Sequence, residues 1–98
     1  MRLRLHPEAS FEAIEARTWI AGDDPHQGTL FADALEESFR RIKQSPLICR
    51  PFDEEFRKFR VGKFRYSVIF RIRGNEIQVM AVMHQHRRPG YWKDRVGN

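Results

Sequence analysis

Side chains that could bind anions or transfer protons are concentrated in one short stretch near the end of the sequence. The stretch contains His84, His86, Arg87, Arg88, Tyr91 and Trp92. An arginine can hold a phosphate or a carboxylate with two parallel hydrogen bonds. A histidine can exchange a proton near neutral pH, and aromatic rings can stack on bases or fill a protein groove. The stretch therefore predicts either a surface that binds a polyanion or a protein, or a site for acid–base chemistry.

The two histidines and the tryptophan each allow more than one interpretation. His84 and His86 would share one face of a strand, where they could act as acid and base, bind a metal, or hydrogen-bond the backbone at the sheet edge. A metal site needs further ligands, and no third His, Cys or carboxylate lies at a supporting spacing, so we expect neither a metal nor a cofactor. Trp92 could contact a target, or it could fold back and cap the core.

The composition favours one small basic domain. The 98 residues carry a formal net charge of +5, and we expect a single domain over residues 1–98. The charge is uneven, since residues 1–49 have six basic and eight acidic side chains, a net −2, whereas residues 50–98 have twelve and five, a net +7. A half this basic is expected to attract an acidic partner, either nucleic acid or protein.

The sequence gives no indication of a membrane or an oxidising compartment. No apolar run approaches the roughly 20 residues that cross a bilayer, and the charged N-terminus is unlike a secretory signal. A lone cysteine, Cys49, cannot form an internal disulfide. We therefore expect a cytoplasmic protein.

The first half of the sequence predicts a strand and two helices. Leu3 and Leu5 alternate with arginines, which indicates a strand over residues 2–6. Pro7 suits the first turn of a helix, which we expect to end at Gly22. The predicted buried stripe of this helix consists of Phe11, Ile14, Thr18 and Ala21.

A second helix should follow closely. Asp23 and Asp24 are capping residues and Pro25 suits the first turn, while Ser45-Pro46 should end the helix. Its apolar stripe consists of Phe31, Leu35, Phe39 and Ile42. So short a connection predicts that the two helices pack as an antiparallel hairpin.

The second half predicts three antiparallel strands. Residues 56–61 and 64–73 read as strands, and Gly74-Asn75 is a two-residue hairpin turn before the last strand. In that last strand we expect one face to carry Ile77, Val79, Ala81 and Met83, and the other face to carry Met80 and Val82. A strand that is apolar on both faces is either central in the sheet or covered by a partner. The predicted fold class is α+β, with two layers.

This order of elements and the amino-acid sequence after residue 56 resemble those of the RelE/ParE family of bacterial toxins. The similar segments are RKFRVGKFRYSVIF and EIQVMAVMHQHRRPGYW, in which residues 81–87 resemble the family's last strand and its terminal basic patch. The resemblance implies the toxin of a type II toxin–antitoxin system, a plasmid stabilisation protein. Its partner would be a cognate antitoxin that forms a hetero-oligomer with it, and we expect that antitoxin to cover apolar surface at Met80 and Val82.

The family has two mechanisms, and the resemblance leaves both open. RelE-like members cleave messenger RNA on the ribosome, and ParE-like members bind DNA gyrase without cleaving nucleic acid. For a nuclease the resemblance implies catalytic roles for Lys58, Arg60, Arg87 and Tyr91. Ser67, however, stands where many members carry an arginine in a Tyr-Arg-apolar-apolar-Tyr run, and this departure favours the ParE-like branch.

On the ParE-like interpretation the chain has a target-binding tip at one end of the sheet. The predicted tip consists of Arg87, Arg88, Tyr91, Trp92, Lys58 and Arg60. A third possibility is a family member whose only activity is to bind an antitoxin.

Overall fold

The computed structural model describes residues 1–97, and its element order confirms the predicted α+β class. The helices and strands are β1 (Arg2–Leu5), α1 (Pro7–Asp23), α2 (Pro25–Gln44), β2 (Pro51–Asp53), β3 (Phe56–Arg60), β4 (Tyr66–Arg73) and β5 (Glu76–His84). Short 3₁₀ turns lie at Pro46–Ile48 and Lys93–Arg95. The sequence analysis missed β2, which is only three residues long, begins with proline and shows no alternation.

The strands form one sheet in the order β1-β5-β4-β3-β2. β1 runs parallel to β5, and the other neighbours are antiparallel. The two helices begin the long connection between this parallel pair, and they cover one side of the sheet. We call this side the helix face and the opposite side the outer face. Within residues 1–97 no helix is both long enough and apolar enough to span a membrane.

The helix hairpin begins and turns at capping residues. Pro7 opens α1, and the Asp24 side chain caps α2 by accepting a hydrogen bond from the His26 N–H at 3.0 Å. The prediction that Gly22 ends α1 is wrong, because the helix continues to Asp23 and stops only where Asp24 becomes extended. One extended residue therefore ends the first helix and starts the second.

α1 buries small residues and not the predicted stripe. Ala9 and Ala16 are buried, whereas Phe11 and Ile14 are 62% and 64% exposed. The small side chains let α1 lie close to its neighbours. Gly28 of α2 acts in the same way, since a Cβ there would lie 2.6 Å from the Cβ of Ala21. The stripe predicted for α2 is confirmed, with three members buried and Phe39 half-buried.

A β-bulge in β5 changes which of its side chains face the helices. Ile69 pairs with Ala81 but Phe70 pairs with Val79, so Met80 is an extra residue without a partner on β4. An extra residue reverses the alternation of faces beyond it. The helix face of β5 carries Ile77, Val79 and Val82, and the outer face carries Met80, Ala81 and Met83. The predicted alternation is therefore correct as far as Met80 and wrong from Ala81 onward.

The tight turn between the two longest strands is confirmed. Arg73 pairs with Glu76, and Gly74 between them has a φ of +57°, a conformation that favours glycine. This hairpin delivers the end of β5 to the edge of the sheet where the basic and aromatic stretch begins.

Candidate functional site

The chain beyond β5 folds back over the edge of the sheet. The Arg87 N–H donates to the carbonyl of His84 at 3.0 Å, and the Tyr91 N–H donates to the carbonyl of Arg88 at 3.2 Å. Gly90 takes a φ of +75°, which reverses the chain direction. These turns bring the C-terminal segment, residues 85–97, against both β5 and α1.

Side chains complete the edge of β5 where β1 ends. β1 pairs with β5 only as far as Val79, which leaves the following backbone groups without a neighbouring strand. The Glu12 carboxylate accepts a hydrogen bond from the Val82 N–H at 3.0 Å, and Arg95 donates to the Met80 carbonyl at 2.9 Å. An unpaired strand edge invites pairing with another chain, and these two side chains block it.

Glu12 is also the centre of a nearly buried polar network. Both of its oxygens accept from Arg95, at 2.8 and 2.9 Å, and the Tyr91 hydroxyl donates to Oε2 at 2.6 Å. The Glu12 and Arg95 side chains are 10% and 11% exposed. Glu12 is therefore not a solvated residue of the helix surface. No pattern in the sequence indicates Arg95, but Ala9, Ala13, Ala16 and Ile20 recur at helical spacing and mark the buried face beside which Glu12 lies.

Tyr91 is held in its protonated form. Burial raises the pKa of its hydroxyl, and the hydrogen bond to Glu12 raises that pKa further. The Arg87 guanidinium lies 3.9 Å from the centre of the Tyr91 ring. The structure thus brings together two of the predicted site residues, with the tyrosine hydroxyl committed to Glu12 and the arginine exposed above the ring.

Arg87 lies at the rim of a cleft between α1 and β5, which we call the α1–β5 cleft. Its volume is about 460 Å³, and its walls include Ile14, Trp19, Tyr66, His84 and Arg87. Glu12 and Glu15 also line it, so the cleft combines apolar and aromatic walls with charged groups, which is the character of a protein-docking groove. Arg88 is exposed beside this rim.

The uncharged side chain of His84 forms part of the wall of the cleft. Its pKa is lowered by burial and by the neighbouring His86 and Arg65. Its Nδ1 accepts a hydrogen bond from the His86 backbone N–H at 3.1 Å, and its ring meets Tyr66 edge-on at 4.9 Å. This is the backbone-bonded arrangement that the sequence analysis considered. Among residues 1–97, no three His, Cys, Asp or Glu side chains are grouped so that they could hold a metal ion.

Trp92 does not belong to an exposed tip. It is 1% exposed on the outer face, where it packs in a cluster with Phe56, Ile69, Met80 and Ala81. Of the two interpretations left open for Trp92, folding back onto the core is the observed one. Its assignment as a target-binding residue is therefore wrong for the folded chain, because the side chain is not accessible.

Lys58 and Arg60 lie apart from Arg87. Both alternate with Phe59, which packs on the helix face, and they therefore lie on the outer face of β3. The Lys58 Nζ sits 5.1 Å from the ring centre of Phe52, and the Arg60 Nε donates to the Phe64 carbonyl at 3.3 Å. Adjacent strands are about 4.8 Å apart, so β3 lies roughly 10 Å from β5. The predicted tip is divided into two groups.

The expectation of exposed apolar surface at Met80 and Val82 is wrong. The two side chains are only 3% and 2% exposed, because the bulge sends one to each face of the sheet and both faces are covered. Large exposed apolar side chains lie instead on the solvent side of α1 and at Leu47 and Ile48, after α2. We call Phe11, Ile14 and Trp19 the α1 apolar surface, and Trp19 is the most exposed of them at 81%.

A family model and a curated relative identify one family, and a solved structure shares the fold. The family model described as "ParE toxin of type II toxin-antitoxin system, parDE" matches residues 3–89. Toxin ParE2 of Mycobacterium tuberculosis, in two strains, is 32% identical over 92 residues, covering 90% of this chain and 85% of the relative. A solved structure titled "Chromosomal ParDE TA system from P. aeruginosa" superposes with a TM-score of 0.73 at 16% identity, over 86% of this chain and 95% of the other.

Proposed function

This chain belongs to the ParE toxin family of type II toxin–antitoxin systems, and we propose that it arrests growth in the cytoplasm by binding DNA gyrase. In this proposal a cognate antitoxin neutralises it by forming a hetero-oligomer with it. The action is binding and not catalysis.

The division of the basic residues into two groups is the observation that carries the proposal. Cleavage of RNA needs a base for the 2′-hydroxyl, a clamp on the phosphate and an acid for the leaving oxygen, all around one bond. Lys58 and Arg60 lie two strands from Arg87, and the Tyr91 hydroxyl is engaged by Glu12. This arrangement supports recognition of a protein surface over nucleic acid cleavage.

Ser67 supports the same conclusion. It lies between Arg60 and Met83 in the register across β3, β4 and β5. An arginine at this position would place a second cation beside Arg60, on β4 between β3 and β5. Ser67 itself has no guanidinium with which to clamp a phosphate at this point of β4.

The α1 apolar surface is the site that we propose for the antitoxin. A small domain rarely exposes several large apolar side chains on one helix unless a partner covers them. Ile14 and Trp19 share the α1–β5 cleft with Arg87. An antitoxin segment seated there would cover the exposed arginine, so that neutralisation would follow from occlusion of the target-binding residue.

Controlled expression of the chain tests this function. We expect growth arrest with an induced DNA damage response and intact messages, and rescue by co-expression of the antitoxin. Arrest accompanied by message cleavage at ribosomes would replace the proposal with the nuclease branch. Normal growth at high soluble expression would contradict toxicity and leave antitoxin binding as the only remaining function.

A further inference from the structure

A row of polar side chains crosses three strands on the outer face, at the end of the sheet away from Arg87. Gln78 of β5 pairs in register with Arg4 of β1 on one side and with Arg71 of β4 on the other. Directly paired residues point to the same face of a sheet. The two guanidinium groups therefore flank one amide side chain, on strands that are separated by roughly 10 Å.

Arg71 is the unusual member of this row. The residue is only 9% exposed, and its guanidinium lies 5.6 Å from the ring centre of Phe56. Its Nε donates to the Gln78 Oε1 at 2.9 Å, but its buried Nη1 has no hydrogen-bond partner among the described protein atoms. The Glu55 Oε1 is 3.6 Å from Nη1, beyond hydrogen-bond distance. A buried arginine donor without a partner costs free energy, so it needs an explanation.

Arg71 lines a cleft of about 340 Å³, which we call the Arg71 cleft. Arg4, His6 and Gln78 line the same cleft, together with Pro7 at the first turn of α1. The start of a helix carries partial positive charge, which adds to that of the arginines. The charged side chains of the cleft wall are therefore positive, and Leu5, Val79 and Met80 supply its apolar part.

The surrounding charges also leave a surplus of positive charge. Four arginines are paired with two glutamates around the row, a net +2. The pairs are Arg2 and Arg4 with Glu76, and Arg71 and Arg73 with Glu55. The two nearest distances to Glu76 are both 3.5 Å, so those arginines are loosely held and could turn toward another anion.

We propose that the Arg71 cleft binds a carboxylate presented by an acidic segment of a partner protein. Paired arginines match the planar, two-oxygen geometry of a carboxylate. A protein segment is favoured over nucleic acid because Glu55 lies beside Arg71, and Glu76 lies beside Arg4 and accepts a hydrogen bond from Gln78 at 2.9 Å. These two carboxylates would repel a continuous phosphate backbone. An acidic peptide can instead place a single carboxylate between them. The inference rests on the proposed function in one respect, since the antitoxin is the partner expected to supply the segment.

A peptide titration of the purified chain tests this inference. The probe is a capped tetraglutamate peptide, followed by the chemical shifts of the arginine Nε–H groups, with inorganic phosphate and a single-stranded oligonucleotide as competing probes. We expect the peptide to shift the Arg71 signal, and Arg71→Met to weaken its binding by about tenfold or more. Methionine fills a similar volume without leaving a buried charge unpaired, so the fold should tolerate it.

Two further variants keep the test decisive. Arg4→Met removes the exposed cation of the row and should also weaken the peptide, whereas Lys43→Met, at an exposed position of α2, should not. Equal binding by all three variants, no binding of the peptide, or tighter binding of phosphate or the oligonucleotide would each overturn the inference. Because the measurement uses only the purified chain and small probes, its failure would leave the proposal about gyrase standing.

Discussion

The carboxylate of Glu12 holds the guanidinium of Arg95 through two hydrogen bonds, across 83 residues of sequence. The pair does more than join two ends of the chain, because each member also bonds the backbone of β5. It therefore replaces the strand that is missing beside the second half of β5, and it fixes the segment that carries Arg87 and Tyr91.

Breaking this pair from one side should destabilise the fold. In Glu12→Gln the Arg95 charge stays almost buried without its counter-ion, and removal of one partner of a buried pair typically costs about 3–5 kcal/mol. Because the pair is about a tenth exposed, we expect a loss near the lower end, roughly 3 kcal/mol, in the free energy of unfolding measured with urea. Glu36→Gln, at an exposed position of α2, is the matched control and should change stability by less than about 0.5 kcal/mol. Equal stability of the two variants would show that the network contributes nothing.

The two tyrosines should make the fold sensitive to alkali. The pKa of Tyr91 is raised by burial and by Glu12, and that of Tyr66 is raised by burial and by Glu15. Stability should be unaffected below the ordinary tyrosine pKa of about 10 and should fall above it, because the unfolded chain then releases protons that the folded chain retains.

Near-ultraviolet absorbance measures this directly. Phenolate absorbance should appear together with the loss of circular dichroism, and not in the folded chain near the ordinary pKa. Tyr91→Phe should make the fall in stability with pH less steep by up to about 1.4 kcal/mol per pH unit. Ionisation of both tyrosines near the ordinary value while the chain stays folded would contradict the burial of their hydroxyls.

Substitution of the two tryptophans, Trp92 and Trp19, should have very different effects on stability, because one side chain is buried and the other is exposed. Trp92→Ala removes the centre of the outer-face cluster and should cost about 3–5 kcal/mol, a large part of the stability of a domain of this size. Trp19→Ala removes an exposed side chain and should change the free energy of unfolding by less than about 0.5 kcal/mol. Denaturation followed by circular dichroism compares them. A stable Trp92→Ala variant would mean that the C-terminal segment does not hold the outer face.

The sequence predicted the order of elements well because that order depends on local signals. Proline at Pro7 and Pro25, the Asp24 cap and the Gly74 turn each act within a few residues, and the structure uses all four. The error at Gly22 has a local cause as well, since a glycine is tolerated inside a helix when the following residues provide the stop.

The site was predicted less well because its geometry depends on distant contacts. The bulge at Met80 consists of one extra residue, and the alternation of apolar residues in β5 does not predict it. The bulge nevertheless moves every later residue of β5 to the opposite face of the sheet. From the sequence alone Glu12 resembles an ordinary surface residue of α1, and only the fold shows that Arg95 and Tyr91 hydrogen-bond it. Arg87 was correctly placed beside Tyr91, but only the fold shows that Lys58 is two strands away.

The α1 apolar surface should determine affinity for the antitoxin. Burial of a large apolar side chain contributes roughly 1.5–3 kcal/mol, so Trp19→Ser should weaken antitoxin binding by about ten- to a hundredfold while toxicity and stability persist. Leu47→Ser is the control, since Leu47 is 71% exposed but lies away from α1. Calorimetric titration of the purified partners measures both. An unchanged affinity for Trp19→Ser, Ile14→Ser and the double variant would place the antitoxin elsewhere.

The central claim is that the exposed basic rim at Arg87 and Arg88 acts on gyrase by binding. Its most direct test adds the purified chain to gyrase and relaxed plasmid, and adds the same preparation to translating ribosomes. We expect supercoiling to be inhibited, Arg87→Ala combined with Arg88→Ala to weaken inhibition by about tenfold or more, Lys43→Ala to leave it unchanged, and ribosome-bound messages to remain intact. Unimpaired supercoiling together with cleaved messages would contradict the account and assign the chain to the nuclease branch of the family.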